Sequence, residues 1–344
     1  MTRRSVPLVA VAATFLALAG CSGTDSPSAS TPPTSPSATA TSEDAAPSQA
    51  AAETAAAWLV TSAAGASILQ TEFDGTAYDD YGLTADVTLA LLAVGDVDSA
   101  QTFAAALAAP DAVAAYIGDG ATAQYAGSTA KLLATLATSG IDTSDLGGRD
   151  LVSELVALQA PSGRFSDLGA DDYSITVSQA WAVLALNATA EAPQAAVDYL
   201  TAQQCAGAGF PEQLSDVSPA DCVPDVDATA FAVSALLGAG VPVGAPAVAD
   251  SLAWLETARS TDAAGQSWAA AGSEDANINS TSVVAAALTD ADVDTAPVLS
   301  WLESQIITTG ADTGAFPLAG TANVRVSAQA TLALAGTGLR GLIG

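Results

Sequence analysis

The sequence predicts an all-α fold in which six helix pairs close into a ring, an α6/α6 toroid with six outer and six inner helices. Three observations predict it. A helix of small residues recurs six times at a near-constant spacing. A more amphipathic helix, in most cases with an aromatic–Leu or aromatic–Ile pair, falls between these. After most amphipathic helices comes a turn that holds a glycine and an aromatic residue.

The stretch Val223 to Gly240, VPDVDATAFAVSALLGAG, displays the repeating phrase. Asp225 and Asp227 sit where a carboxylate caps or charges the positive end of a helix. Thr229 to Leu237 is apolar nearly all round, which predicts burial on most sides. Gly238 and Gly240 stop the helix. Registered on a Thr or Ser, the phrase returns at Thr84, Thr129, Ser178, Thr229, Thr281 and Ser327, in steps of 45, 49, 51, 52 and 46 residues. A period of this size marks a repeat architecture.

The helices between contain Trp58-Leu59, Tyr116-Ile117, Tyr199-Leu200, Trp254-Leu255 and Trp301-Leu302; the third, Asp150 to Gln159, has Glu154-Leu155 instead. Their amphipathic pattern suits an outer layer. The turns are Gly163-Arg164-Phe165, Gly209-Phe210, Gly265 to Trp268, and Gly314-Ala315-Phe316. Glycine lets the chain reverse, and the ring fills the space between layers. Ala, Ser, Thr and Val on the inner helices allow close approach. A closed ring lets the first and last pairs cover each other, so no special caps are needed.

Ahead of the ring, residues 1–20 carry Arg3 and Arg4 and then an apolar run from Val6 to Leu18, the pattern of a secretory signal peptide. The run is too short for a stable membrane span. Leu18-Ala19-Gly20-Cys21 resembles a bacterial lipobox. That resemblance implies cleavage before Cys21 and lipidation of its thiol, so several acyl chains would hold the protein to the extracytoplasmic face of the membrane. Residues 21–48 are rich in Ser, Thr and Pro and predict a flexible tether, leaving 49–344 for the toroid. Cys205 and Cys222 remain; outside the cytoplasm they are expected to pair as a disulfide.

Charge narrows the partners. The chain has 8 basic and 37 acidic residues. Removing residues 1–20, with two arginines and no acid, leaves 6 against 37, a net −31. Nucleic acid is not an expected partner, nor are anionic headgroups through a basic patch. Histidine is absent, so no imidazole serves a metal or a proton shuttle.

Gln159-Ala-Pro-Ser-Gly163-Arg-Phe165 resembles the QW-type repeat of the prenyltransferase and squalene cyclase superfamily. Gln305 to Phe316 is a stretched version, and Gln203 or Gln204 to Phe210 another. The resemblance runs over about residues 50–340 and implies an α/α toroid. That superfamily also includes vitamin B12 carrier proteins and complement thioester domains, so the fold does not name an activity.

Parallel inner helices would gather their N-termini at one mouth. There the sequence places Asp79, Asp80, Asp171, Asp172, Asp225, Asp227, Glu274 and Asp275, with Asn277, Asn279 and Asn323, and with Tyr81, Tyr125 and Tyr173 nearby. These acids suit helix caps. They also suit a polar binding mouth, for which Asp80, Tyr81, Asp172, Tyr173, Asp225, Asp227, Asn277 and Asn279 are the candidates. Asp225-Val226-Asp227-Ala228-Thr229-Ala230 resembles the DxDD-T-A motif of class II terpene cyclases, which implies Asp227 as proton donor. Ala228 departs from that motif, and such cyclases build their site between two barrels where this chain has one. The zinc of protein prenyltransferases needs a histidine that is missing here, and no GCGEQ-like thioester run exists. A glycan-acting (α/α)6 barrel needs two carboxylates about one bond, and no spacing selects the pair. The expectation is a monomeric surface lipoprotein without metal or cofactor. It would bind a small molecule or surface polymer at the acidic mouth without catalysis. The alternative is an enzyme of terpene cyclase-like type, with Asp227 as acid, or of glycan-acting type. The segment Cys205 to Asp221 reads equally as a stapled lip for partner contact at that mouth or as a tied-down insertion of structural use alone.

Overall fold

The computed structural model describes residues 46–190, 192–215 and 222–344. The expected signal peptide, Cys21, nearly all of the expected tether and six residues of the Cys205–Cys222 loop lie outside the described residues.

The inner helices are α2 (Tyr81–Ala93), α5 (Ala126–Thr138), α7 (Thr176–Thr189), α9 (Val226–Gly238), α11 (Ile278–Asp290) and α13 (Val324–Leu334). Each packs on the next, and α13 packs back on α2, closing the ring. The outer helices are α1 (Ala46–Ser62), α4 (Pro110–Ile117), α6 (Leu151–Ala157), α8 (Gln194–Ala202), α10 (Pro246–Ala258) and α12 (Ala296–Gln305). α1 lies mainly on α13, so the first outer helix covers the last inner one. The aliphatic partner of every outer-helix pair (Leu59, Ile117, Leu155, Leu200, Leu255 and Leu302) is 0% exposed.

Contacts between like ends show that neighbouring inner helices run parallel. Gly127, in the first turn of α5, faces Ser178 in the first turn of α7. Arg325 at the start of α13 bonds Asp80 at the start of α2. At the opposite end, Asn187 of α7 donates to the Gly238 carbonyl of α9 at 2.5 Å.

The Thr/Ser register has a physical cause. The hydroxyls of Thr84, Thr229, Thr281 and Ser327 accept hydrogen bonds from the backbone N–H of Leu69, Phe210, Trp268 and Phe316, at 2.8–3.0 Å. Each therefore pins the preceding turn to its inner helix through a buried bond, a contribution of about 1 kcal/mol. In the third repeat Gln179 takes this role: its Oε1 accepts from Phe165 N at 2.9 Å. The register residue there is Gln179, not Ser178, and the steps become 45, 50, 50, 52 and 46. A longer side chain does the work of a hydroxyl, so the Thr/Ser rule missed it.

The turn glycines are demanded by the next outer helix. A Cβ on Gly163 would lie 1.8 Å from the Ala195 carbonyl oxygen of α8. One on Gly314 would lie 2.6 Å from that of Thr54 in α1.

Two helices exceed the expected twelve among the described residues. α3 (Val97–Leu107) packs on α2. α14 (Leu339–Ile343) touches five inner helices and floors the ring at their C-terminal ends. Asp290, the last residue of α11, fixes it by accepting from Arg340 N and Gly341 N. Three short hairpins lead into inner helices: β1 (Gln70–Phe73) with β2 (Thr76–Asp79), β3 (Ser260–Thr261) with β4 (Gln266–Ser267), and β5 (Pro317–Leu318) with β6 (Thr321–Ala322). The expected disulfide joins Cys205 to Cys222, with Cα atoms 5.3 Å apart.

Candidate functional site

The ring encloses a cavity of about 40 Å³ lined by side chains of α2, α7, α9, α11 and α13 and floored by Leu339 of α14. Its lower part is aliphatic, with Leu89, Ala286 and Leu332. Trp181 and Phe231 form its middle, their ring centres 5.8 Å apart. Asp86, Ser282 and Gln329 bring polarity. At about 10–15 Å³ per water, the space holds some three waters.

Above it, toward the mouth, lies an ion network that ties three inner helices. Lys131 of α5 pairs with Asp86 of α2 at 2.5 Å, and Arg325 of α13 pairs with Asp86 at 2.9 Å and Asp80 at 2.7 Å. The Lys131 ammonium also donates to the Gly82 carbonyl and stands 5.8 Å from the Trp181 ring centre. Burial alone would raise the Asp80 carboxyl. Hydrogen bonds from Thr71 and Leu83 N, with the Arg325 charge, outweigh it and hold Asp80 below the usual carboxylate value.

Asp227 sits one turn above Phe231 on α9, on the stripe that faces the lumen. Burial pushes its carboxyl above the ordinary value. The nearby Ser280 hydroxyl opposes that rise and the Asp225 charge adds to it. Neither Asp227 Oδ1 nor Ser280 Oγ completes a well-formed hydrogen bond. Asn279 Oδ1, one turn above Ser282, and Gln329 Oε1 likewise lack partners. Three buried oxygens without partners, on Asp227, Asn279 and Gln329, therefore lie near a satisfied ion network, and of these residues Gln329 lines the cavity.

The other predicted residues are placed differently. Asp80, Asp225 and Asn277 are N-caps, accepting from Leu83, Ala228 and Ser280 N. Asp172 lies in the loop before α7, pairs with Arg164 at 2.9 Å and accepts from Asp167 N and Ser174 N. Tyr173 is mostly exposed. Tyr81 packs on Tyr116, ring centres 5.9 Å apart. The structure thus buries Asp227 on α9, sets Asn279 in a separate pocket beside α12 and the β5–β6 hairpin, and leaves Asp172 and Tyr173 on a loop. Sequence reasoning missed Asp86, Lys131, Gln329 and Arg325. A signal was present: Lys131 is the sole lysine of the chain, in the middle of a small-residue helix. Of the two glutamines considered for the fourth repeat, Gln204 bridges to the next outer helix, donating to Ala247 O and Ser251 Oγ of α10. Gln203 instead holds Ser215 in the disulfide loop.

Comparison with solved structures places the fold. A type II terpene cyclase from Scytonema, in complex with its substrate geranylgeranyl dihydroxybenzoate, superposes with a TM-score of 0.64. It is 14% identical, over 85% of this chain and 97% of the cyclase. A glycosidase superposes with a TM-score of 0.58 at 16% identity, over 88% of this chain and 100% of that one. A variant of the glycosidase in complex with glucose matches equally well. At such identity the likeness shows the shared helical toroid and nothing finer. No protein-family model matches the chain. No curated protein matches it either.

Proposed function

We propose that this protein is a non-catalytic binding toroid that holds a small polar molecule across the mouth formed by the N-termini of its inner helices. One observation carries the reading: the lumen offers about 40 Å³, whereas pockets that engulf drug-sized ligands run to about 300–1,000 Å³. A ligand of that size sits on the mouth and reaches in with one group at most. Behind the mouth Asp227, Asn279 and Gln329 each hold a buried oxygen without a hydrogen-bond partner, and Lys131 and Arg325 stand near them. We further propose that the protein works as a monomer outside the cytoplasm, anchored through lipid on Cys21 and reaching its ligand on the flexible 21–48 tether.

The rival reading is an enzyme with Asp227 as acid. It is supported by the buried carboxyl with raised proton affinity, and by superposition on a terpene cyclase and a glycosidase. A thermal-shift panel of sugars, corrinoids, divalent cations and lipids separates the two, together with turnover assays on isoprenoid diphosphates, squalene and glycans. A dose-dependent stabilisation without turnover supports binding. Turnover by the native chain that is abolished in Asp227→Asn overturns it. The anchor is tested separately: Cys21→Ala should move the protein from the detergent phase to the aqueous phase.

A further inference from the structure

A second concave surface lies beside the mouth and shares no lining residue with the lumen cavity. It is a groove of about 330 Å³ between the β1–β2 hairpin, the start of α2 and the end of α4. Its walls include four aromatic rings: Phe73 and Tyr78 from the hairpin, Tyr81 from α2 and Tyr116 from α4. The register sets Thr71 opposite Tyr78 and Phe73 opposite Thr76. In a pleated ribbon these four share one face. The hairpin therefore turns its aromatic face to the groove, yet Phe73 remains 76% and Tyr78 56% exposed. The hairpins that lead into α11 and α13 have no ring in their strands. The rings of β1–β2 are thus not a requirement of the repeat.

Thr71 and the two carboxylates of the groove are already hydrogen-bonded. Thr71 Oγ1 donates to Asp80 Oδ2 at 2.7 Å, and Asp80 also accepts from Leu83 N and Arg325. Asp79 Oδ1 accepts from Gln70 Nε2 at 2.9 Å. The electrostatic surroundings are anionic: Asp79 and Asp80 line the groove, and Asp79 and Asp111 act on Tyr81. Asp86 and Asp80 act on Tyr116, with Arg325 as the opposing charge. Aromatic faces in an anionic field attract a weakly hydrated cation that needs no hydrogen bond.

We propose that this groove is a binding site for an organic cation of the quaternary-ammonium class, held by the rings of Phe73, Tyr78, Tyr81 and Tyr116. The groove stands apart from the lumen, so either site can fail without the other.

The test is calorimetric titration of the full mature chain with tetramethylammonium and choline chlorides, with 3,3-dimethylbutanol as the neutral isostere of choline and glucose as the sugar control. Expected is saturable binding of both cations and at least tenfold weaker binding of the neutral isostere. Phe73→Ala and Tyr78→Ala should each weaken the cations about tenfold. Both side chains are exposed, so the variants keep the native melting profile, and circular dichroism checks this. Asp227→Asn should leave cation binding unchanged, which separates this groove from the lumen. Equal binding of dimethylbutanol, preference for glucose, no saturable binding of either cation, or full affinity in both ring variants overturns the proposal.

Discussion

Closure of the ring makes a sharp prediction at Gly314. This glycine follows α12, and its Cα faces the Thr54 carbonyl of α1, so it seals the last repeat against the first helix. Gly314→Ala incurs two penalties. The backbone sits at φ +99, a region that costs a residue with a Cβ about 1–3 kcal/mol. The new Cβ would also stand 2.6 Å from Thr54 O and 3.1 Å from its carbonyl carbon, which forces α1 outward at a further ~1–3 kcal/mol. Gly310 lies in the same loop at φ +89 with nothing within 4 Å of its Cβ position, so Gly310→Ala incurs the backbone penalty alone. For a domain of this size each kcal/mol moves the midpoint about 2–4 °C. Gly314→Ala should therefore melt roughly 2–12 °C below Gly310→Ala by circular dichroism. Equal midpoints for the two variants would refute the reasoning, because the packing against α1 would then contribute nothing.

Three other outcomes follow from the same coordinates. Asp227 has a folded proton affinity raised above the ordinary carboxylate value, so its ionisation costs native stability. Stability falls as pH rises from that ordinary value through the raised one. Asp227→Asn should then be more stable than the native chain above this window and equal to it below, as read from urea melts across acid to neutral pH. The Cys205–Cys222 bridge spans a sequence separation of 17, so Cys205→Ser/Cys222→Ser should lose about 3 kcal/mol, and reduction of the native chain should match it. Lys131→Met leaves Asp86 to Arg325 alone and should cost about 1–3 kcal/mol. A double-mutant cycle with Asp86→Asn should recover part of that loss.

The ring was legible because its determinants repeat. One residue pins the preceding turn at five of the six inner helices and one aliphatic residue buries each outer helix, so a weak signal that recurs becomes a period. Ser178 was misread because Gln179 reaches the same backbone N–H from the next position, and residue type alone does not reveal reach. The site was less legible. Asp80, Asp225 and Asn277 read equally as caps or ligand groups, and the structure uses their side chains as caps. Arg325, Asp86 and Lys131 meet only because α13 closes on α2 and α5 follows it, a contact between residues 239 apart for Arg325 and Asp86. α14 was invisible for a related reason: five residues after a glycine show no period, and their role as a floor exists only once the ring is closed.

The composition that closes the ring also limits the space inside it. Ala, Ser and Thr let the inner helices approach until the space between them shrinks to about 40 Å³, and Leu339 occupies the far end. The large side chains that remain, Trp181 and Phe231, line and narrow its middle. A chain selected to swallow a long apolar substrate would need the reverse: smaller rings, a retracted floor and wider helix spacing. Charge follows the same division. The sole lysine and Arg325 are placed where they neutralise Asp80 and Asp86 at the helix mouth. Elsewhere the chain leaves most of its acidic excess to solvent. Binding across the mouth, as proposed, is consistent with this distribution of size and charge.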